Sequence, residues 1–222
     1  MAAIITEKFR IHNAEQFSES FSESSATTYY LTIGKPIAFT SDTSGGTDLS
    51  PPTPVDDVSS EYYAHDSMIA AKKITSSDIV RVIPRRNWAN STTFDMYEDN
   101  ISSSNTTTSG ATNLYDSTFY FMTSDFKVYK VLDNNGGTAF SGSEPTSTSN
   151  SPFESGGYIL KYMYTLTTSQ VQNFLTTDFM PVATDSTVST AAVDGKIESL
   201  IVTAGSGYTN GTYYAPIHGD GT

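Results

Sequence analysis

The sequence contains no cysteine, few basic residues and no long hydrophobic run. Without cysteine the chain has no disulfide bonds, thiolate zinc sites, iron–sulfur clusters or cysteine nucleophiles. No run of about 18 apolar residues occurs, so no helix is predicted to span a membrane. Twelve Lys and Arg stand against 24 Asp and Glu, a net charge of −12. That balance argues against nucleic acid or an anionic membrane surface as the main partner.

Hydroxyl groups and aromatic rings take the place of charge. Charged residues make up 16% of the chain, whereas 31 Ser and 32 Thr supply most of its polarity. The 14 Tyr, 12 Phe and single Trp provide enough apolar surface for a packed core. A length of 222 residues fits one domain of ordinary size, or a domain with an added module.

Short apolar runs predict a mainly β fold. The predicted strands are 29–33, 37–40, 79–83, 118–123, 126–132 and 158–165. The runs 118–123 and 126–132 are apolar on both faces, which is typical of strands covered on both sides. We therefore expect more than two layers. In the run 158–165, alternation places Tyr158, Leu160, Tyr162 and Tyr164 on one face.

Helix and turn signals lie between these runs. Ser60 is a candidate N-cap for a helix over 61–73. Residues 167–170 form a capping box that predicts a second short helix, and residues 134–137 (Asn-Asn-Gly-Gly) predict a turn. The Ser/Thr/Asn-rich stretch 99–117 is predicted to be a mobile surface excursion.

No catalytic, cofactor or metal motif is present. The sequence lacks the G-x-S-x-G elbow, the phosphate-binding G-x-x-x-x-G-K-[ST] loop and the H-E-x-x-H zinc motif. The three histidines share no metal-ligand spacing, and His65 is expected at the surface. An acidic loop lacks the calcium-loop pattern and is expected to be solvated; its members are Asp42, Asp48, Asp56 and Asp57.

One segment concentrates residues that favour interfaces. Residues 81–88, the arginine–tryptophan segment, hold three of the four arginines and the only tryptophan. These four residues are Arg81, Arg85, Arg86 and Trp88. Arg and Trp are enriched at interface hot spots, which favours a protein–protein anchor. The alternative is structural, with Trp88 in the core and the arginines paired with nearby acidic residues.

The same segment resembles a known family. Val82-Ile83-Pro84-Arg85-Arg86-Asn87-Trp88 is similar to the V-I-P-R-R-(D/N)-W segment of the baseplate wedge protein (gene product eight) of T-even-type contractile-tailed phages. Further pieces of the chain are also similar and come in the same order as in that family, and the resemblance covers roughly residues 4–183. These pieces include 6–10, 30–35, 128–133 and 157–166. The Ser/Thr-rich loops and the lack of cysteine suggest the cyanophage-like branch.

The resemblance implies a three-layer β-sandwich with two short helix-containing loops. It implies a non-enzymatic structural subunit of the virion tail baseplate, assembled in the host cytoplasm and supporting tail contraction and infection. The partners it implies are other wedge proteins and a second copy in a homodimer, with no cofactor, metal, nucleic acid or membrane. Arg81, Arg85, Arg86 and Trp88 would then be interface or structural anchors.

The domain prediction has two parts. Residues 1–190 are expected to form the baseplate β-sandwich domain, and 191–222 the start of a small Gly-rich β module that is cut off. Two other functions stay open: a carbohydrate or host-receptor binding module, and a glycosidase. The glycosidase would need a carboxylate pair, for which the sequence offers candidates but no motif. These are Glu61, Glu98, Glu144, Glu154 and Glu198.

Overall fold

A computed structural model describes residues 7–34, 36–39, 46–53, 65–182, 190 and 206–214. The chain divides into two compact units, Met1–Val80 and Arg81–Thr222, here called the N-terminal and C-terminal units. Strand content, 27%, exceeds helix content, 16%, which confirms the mainly β prediction. Among the described residues, no helix is long and apolar enough to cross a membrane.

The described residues of the N-terminal unit include a helix and a two-stranded ribbon. Helix α1 spans Glu7–Glu19, strand β1 spans Tyr29–Gly34 and strand β2 spans Met68–Ile74. The two strands pair antiparallel, from Tyr29 opposite Ile74 to Ile33 opposite Ala70. A short 3-10 turn, Ser76–Asp78, follows β2. Most ribbon residues are exposed on both faces, and Phe21 is the buried apolar side chain among the residues described in this unit.

The predicted helix over 61–73 is wrong from residue 68 onward. Residues 61–64 lie outside the described part of the chain, and only His65 and Asp66 are helical. The segment that follows is strand β2. Its β-branched residues Ile69 and Ile74 suit a strand, and pairing with β1 outweighs the moderate helical periodicity of the sequence. Helix α1 was not predicted, because its apolar residues are scattered.

The C-terminal unit is built on a four-stranded antiparallel sheet. The described strands of the whole unit, in chain order, are β3 (Val82–Pro84), β4 (Tyr120–Met122), β5 (Lys127–Asp133), β6 (Phe153–Ser155), β7 (Tyr158–Thr165) and β8 (Phe179–Pro181). The main sheet has the order β4-β5-β7-β6, whereas β3 and β8 form a separate pair. Helix α2, Thr168–Phe174, lies between β7 and β8 in the chain.

Both faces of the main sheet are covered, as the sequence predicts. On one face Phe121, Tyr129 and Leu160 pack with residues from irregular chain, including Phe94 and Phe140. A second cluster holds Met122 and Val128 with side chains from β3, β8, α2 and the residue that caps α2; these are Ile83, Met180, Val171 and Leu175. The sheet is therefore a middle layer. Strands and a helix cover one face, and irregular segments cover the other.

A β-bulge corrects the predicted facing of Tyr164. Val128 on β5 pairs with Tyr164, but the next residue, Tyr129, pairs with Tyr162, so β7 carries one extra residue there. The insertion reverses the alternation. Tyr162 therefore packs with Tyr158 and Leu160 as predicted, whereas Tyr164 packs against the opposite cluster.

The local capping and turn predictions are confirmed. The backbone N–H of Gln170 donates to the Thr167 hydroxyl (3.2 Å), and the backbone N–H of Thr167 donates to the side-chain oxygen of Gln170 (2.9 Å). These two bonds form the predicted capping box. At the predicted turn, Asn135, Gly136 and Gly137 all have positive φ. The buried Asn134 side chain accepts from the Gly137 N–H at 3.0 Å.

Other predictions shift or fall outside the described residues. The strand predicted over 79–83 is shorter in the structure and displaced toward the C-terminus, as β3. It includes Pro84, which is tolerated because β3 is an edge strand that pairs only with β8 among the described residues. Residues 36–39 contain no strand, so the predicted run 37–40 is wrong where it is described. Residues 191–205 and 215–222 lie outside the described residues, and the C-terminal module stays a prediction.

Candidate functional site

The arginine–tryptophan segment joins the small β3–β8 pair to the main sheet. Ile83 pairs with Met180 on β8. After β3 the chain passes beside Met122 of β4, where the Met122 N–H donates to the Arg86 carbonyl (2.7 Å) and the Trp88 N–H donates to the Met122 carbonyl (2.8 Å). The segment therefore extends the main sheet at its β4 edge with a short parallel bridge.

The arginine side chains bind backbone carbonyls. Arg85 donates from Nη1 to the Thr176 carbonyl (2.9 Å) and from Nε to the Asn87 side chain (3.0 Å). Arg86 donates from Nη2 to the Tyr115 and Asp116 carbonyls, at 3.1 and 2.9 Å. These bonds connect the segment to the chain before β8 and to the chain before β4. The expected pairing of these two arginines with acidic side chains is therefore replaced by carbonyl contacts.

Trp88 lies at the border of the core. Its ring meets Phe140 edge-on at 5.8 Å between centroids, and it packs, partly buried, against the cluster on that face. Its Nε1 and the Nε of Arg86 are buried and find no acceptor in the described part of the chain. Arg81, at the start of the segment, is exposed, and its carbonyl accepts from the Val182 N–H. Whether any of the four residues binds a partner stays a prediction.

Tyrosine hydroxyls attach the sheet to the surrounding chain. Tyr120 donates to the Pro84 carbonyl (2.7 Å), Tyr158 to the Thr138 carbonyl (2.6 Å), and Tyr164 to the Pro181 carbonyl (3.1 Å). Tyr129 reaches two carbonyls of one loop, Pro145 (3.1 Å) and Ser147 (2.8 Å). Each ring thus carries a polar end that fixes neighbouring backbone. Tyr120 and Tyr164 bind strands β3 and β8, whereas Tyr158 and Tyr129 bind irregular chain. Burial raises the pKa of Tyr129 and that of Tyr164 to about 12.

A buried carboxylate, Asp95, organises the Ser/Thr/Asn-rich stretch. Its oxygens accept from the Ser109 N–H and hydroxyl, both at 2.7 Å, from the Ser117 hydroxyl (3.0 Å) and from the Thr118 N–H (2.8 Å). Burial raises the pKa of Asp95, but bonds from Thr118 and Ser109 outweigh it, and the pKa lies below its ordinary value of 3.8. The stretch predicted to be a mobile excursion is irregular, yet it is attached to the core here.

Sequence reasoning missed Asp95. The available signal was its position between Phe94 and Met96, because a carboxylate inside an apolar run must find hydrogen-bond donors if it is buried. The abundant Ser and Thr hydroxyls that follow supply them. His65 is exposed as expected, and Asp48 accepts from the Phe39 N–H. Over the described ranges, no group of three or more His, Asp or Glu could hold a metal ion.

The comparisons with known proteins assign the family. A family model described as "Bacteriophage T4, Gp8" matches residues 3–143, more than half of the chain. The chain belongs to this family. It is a structural protein of the baseplate wedge in T4-like phages and a component of the virion tail. No curated protein matches the chain.

The matched span of this Gp8-family protein holds both the arginine–tryptophan segment and Asp95. It runs through α1 and β1–β5 and ends before β6. The resemblance seen in the sequence is thereby confirmed, although the pieces beyond residue 143 lie outside the matched residues.

Proposed function

We propose that this wedge protein assembles as a homodimer with other baseplate wedge proteins and keeps its shape while its neighbours move during tail contraction. The observation that carries the proposal is the family match over residues 3–143. A subunit in this role needs a body that resists deformation and surfaces that bind neighbours.

The C-terminal unit supplies features of such a body. Its main sheet is covered on both faces, and close-packed interiors transmit strain with little compression. Tyrosine hydroxyls attach long irregular segments to that sheet, and Asp95 holds the irregular segments around it together. The irregular chain is therefore presented in a defined shape without being part of the sheet.

Within this proposal, Arg85, Arg86 and Trp88 act first as structural anchors. The carbonyl contacts of both guanidinium groups and the Trp88–Phe140 contact support that role. Arg81 and Val82 begin the segment at exposed positions, which another wedge protein can reach.

The first test is quantitative mass spectrometry of purified phage particles. The copy number of this chain is compared with that of the tail-tube protein, and light scattering on the purified chain measures its mass in solution. We expect a fixed number of copies per wedge and a dimer in solution. Absence from particles would contradict the proposal and favour the carbohydrate or host-receptor binding hypothesis.

A second test separates the anchor roles. Trp88→Ala in the purified chain is expected to cost about 3 kcal/mol of unfolding free energy, followed by circular dichroism, since a packed indole is lost. Incorporation into particles should then fall in proportion to stability. An unchanged stability with lost incorporation would instead make Trp88 an interface residue. Phe179→Ala, at a side chain that is 41% exposed, is the matched control for stability.

A further inference from the structure

In the part of the chain that the structure describes, the outer edge of strand β1 has no pairing partner and little of the protection that edge strands usually carry. Among the described residues each strand of the β1–β2 ribbon has a single neighbour. Isolated two-stranded ribbons are only marginally stable in water. Natural edge strands commonly carry charges, proline or bulges that discourage pairing. Strand β1 (Tyr-Tyr-Leu-Thr-Ile-Gly) carries no charge and no proline, and the register shift in the ribbon lies at the end of this strand, between Ile33 and Gly34.

One face of the ribbon is covered at only one end. Alternation along β1 places Tyr29, Leu31 and Ile33 on the same face. Rings from the helical region cover Tyr29, with Phe17 at 5.2 Å and Phe21 at 4.6 Å between centroids. Further along, Leu31 is 56% exposed and Ile33 is 60% exposed. The apolar layer begun by α1 thus stops before the strand does.

The charge of the ribbon is opposite to that of the chain. Strands β1 and β2 contain Lys72 and Lys73 and no acidic residue, whereas the whole chain has a net charge of −12. Lys72 reaches Asp78 just beyond the strand, and Lys73 lies across from Tyr30 on the other face. A segment that carries carboxylates is attracted here.

We propose that an extended, apolar segment of another baseplate protein, carrying acidic side chains, adds as a strand to the free edge of β1. Its apolar side chains would cover Leu31 and Ile33 and continue the layer begun by Phe17 and Phe21. Its carboxylates would lie near Lys72 and Lys73. This strand addition uses backbone hydrogen bonds for affinity and side-chain alternation for specificity. The inference rests on the proposed function, since the partner is another wedge component.

The test is amide hydrogen exchange of the purified chain and of intact baseplates isolated from particles. In an edge strand, alternate amides point away from the neighbouring strand. We expect those amides within Tyr29–Gly34 to exchange at least about tenfold more slowly in baseplates than in the purified chain. Strand β7, which has a neighbour on each side, is the internal reference and should be protected equally in both.

A pair of variants tests whether the exposed apolar face of β1 binds the added segment, and cross-linking tests whether the β2 lysines lie near its carboxylates. Ile33→Asp should abolish the gain in protection, whereas Leu49→Asp, at a fully exposed leucine of the same unit, should keep it. Carbodiimide cross-linking of baseplates should join Lys72 or Lys73 to a carboxylate of a different protein. Circular dichroism of both purified variants checks that each remains folded.

The outcomes separate the two proposals. If the chain is absent from baseplates, the proposed function fails. If the chain is present but Tyr29–Gly34 exchanges as fast as in the purified chain, the strand-addition proposal alone fails. Protection that already grows with concentration in the purified chain, or cross-links only within this chain, would assign the edge to a second copy and would also overturn it.

Discussion

The two units differ in how far the apolar side chains of their strands are buried. In the C-terminal unit, Phe121, Tyr129 and Val131 are completely buried in the middle layer. In the N-terminal unit, Leu31 and Ile33 are more than half exposed although they also lie in a strand. Burial on that scale stabilises a unit by itself, whereas exposed strands depend on what covers them. The difference sets a packed middle layer in one unit against a strand whose apolar side chains remain exposed to water in the other.

The largest expected effect tests this difference directly. Phe121→Ala should lower the free energy of unfolding by about 3–5 kcal/mol, because it leaves a cavity among the Phe94, Tyr129 and Phe140 rings. The measurement is denaturant unfolding followed by the fluorescence of Trp88, the only tryptophan, which reports on the C-terminal unit.

The matched change in the N-terminal unit is Ile33→Ala. Because this side chain is 60% exposed, its removal should change stability by no more than about 0.5 kcal/mol, followed by circular dichroism. Equal losses for Phe121→Ala and Ile33→Ala would show that the ribbon is buried in the free chain, and the contrast between the units would be lost.

The next effect concerns a glycine that faces the core. Gly156 has φ +61°, and a Cβ there would lie 2.2 Å from the Phe140 ring. Gly156→Ala should therefore cost roughly 2–4 kcal/mol, from backbone strain and overpacking together. Gly136 has nearly the same φ, +65°, but open space around it. Gly136→Ala should cost only about 1 kcal/mol, and equal costs for both would remove the steric explanation.

Structural features that depend on neighbouring residues in the chain could be predicted from the sequence, whereas those set by contacts with distant residues could not. The capping box at Thr167 and Gln170 needs only four consecutive residues, and it was predicted correctly. The two apolar faces of β4 and β5 also follow from alternation alone. The facing of Tyr164 required knowledge of the bulge opposite Val128 and Tyr129, which arises from pairing with another strand.

The errors have the same origin. Strand β2 is fixed by its pairing with β1, about forty residues earlier in the chain, and a local helix signal could not reveal that partner. The bonds from Arg86 to the Tyr115 and Asp116 carbonyls likewise span some thirty residues. The composition of the arginine–tryptophan segment indicated that it matters, whereas its contacts are set by tertiary structure.

A third effect compares two carboxylates with lowered pKa values. Asp95 is buried and held by four donors. Asp95→Asn should cost about 1–3 kcal/mol, since either amide orientation points its NH₂ at the N–H of Ser109 or Thr118. Because folding lowers the pKa of Asp95, its stabilisation is present above about pH 4 and is lost as the pH falls through the folded-state value. Unfolding measured from pH 7 to pH 2 should show a smaller acid loss in the variant.

The control is Asp78, a partly exposed carboxylate of the N-terminal unit. A hydrogen bond from Lys72, followed by bonds from Thr75, lowers the pKa of Asp78 to about 2. Asp78→Asn should leave the unfolding followed by Trp88 fluorescence unchanged, and any effect on the ribbon should weaken in high salt. If the Asp95→Asn loss disappeared in salt in the same way, the hydrogen-bonded burial of Asp95 would not explain its effect.

The smallest expected effect concerns a single hydroxyl. Tyr129→Phe removes the donor to the Pro145 and Ser147 carbonyls and should cost about 1 kcal/mol, while Tyr30→Phe, on a ring that is 64% exposed in the ribbon, should cost almost nothing. Burial raises the pKa of Tyr129 from 10.0 to about 12. Its contribution is therefore complete below pH 10 and is lost as the pH rises toward 12. Trp88-detected unfolding across that range should fall less steeply in Tyr129→Phe than in the unmodified chain, and parallel curves would mean that another group, such as Tyr164, controls the alkaline transition.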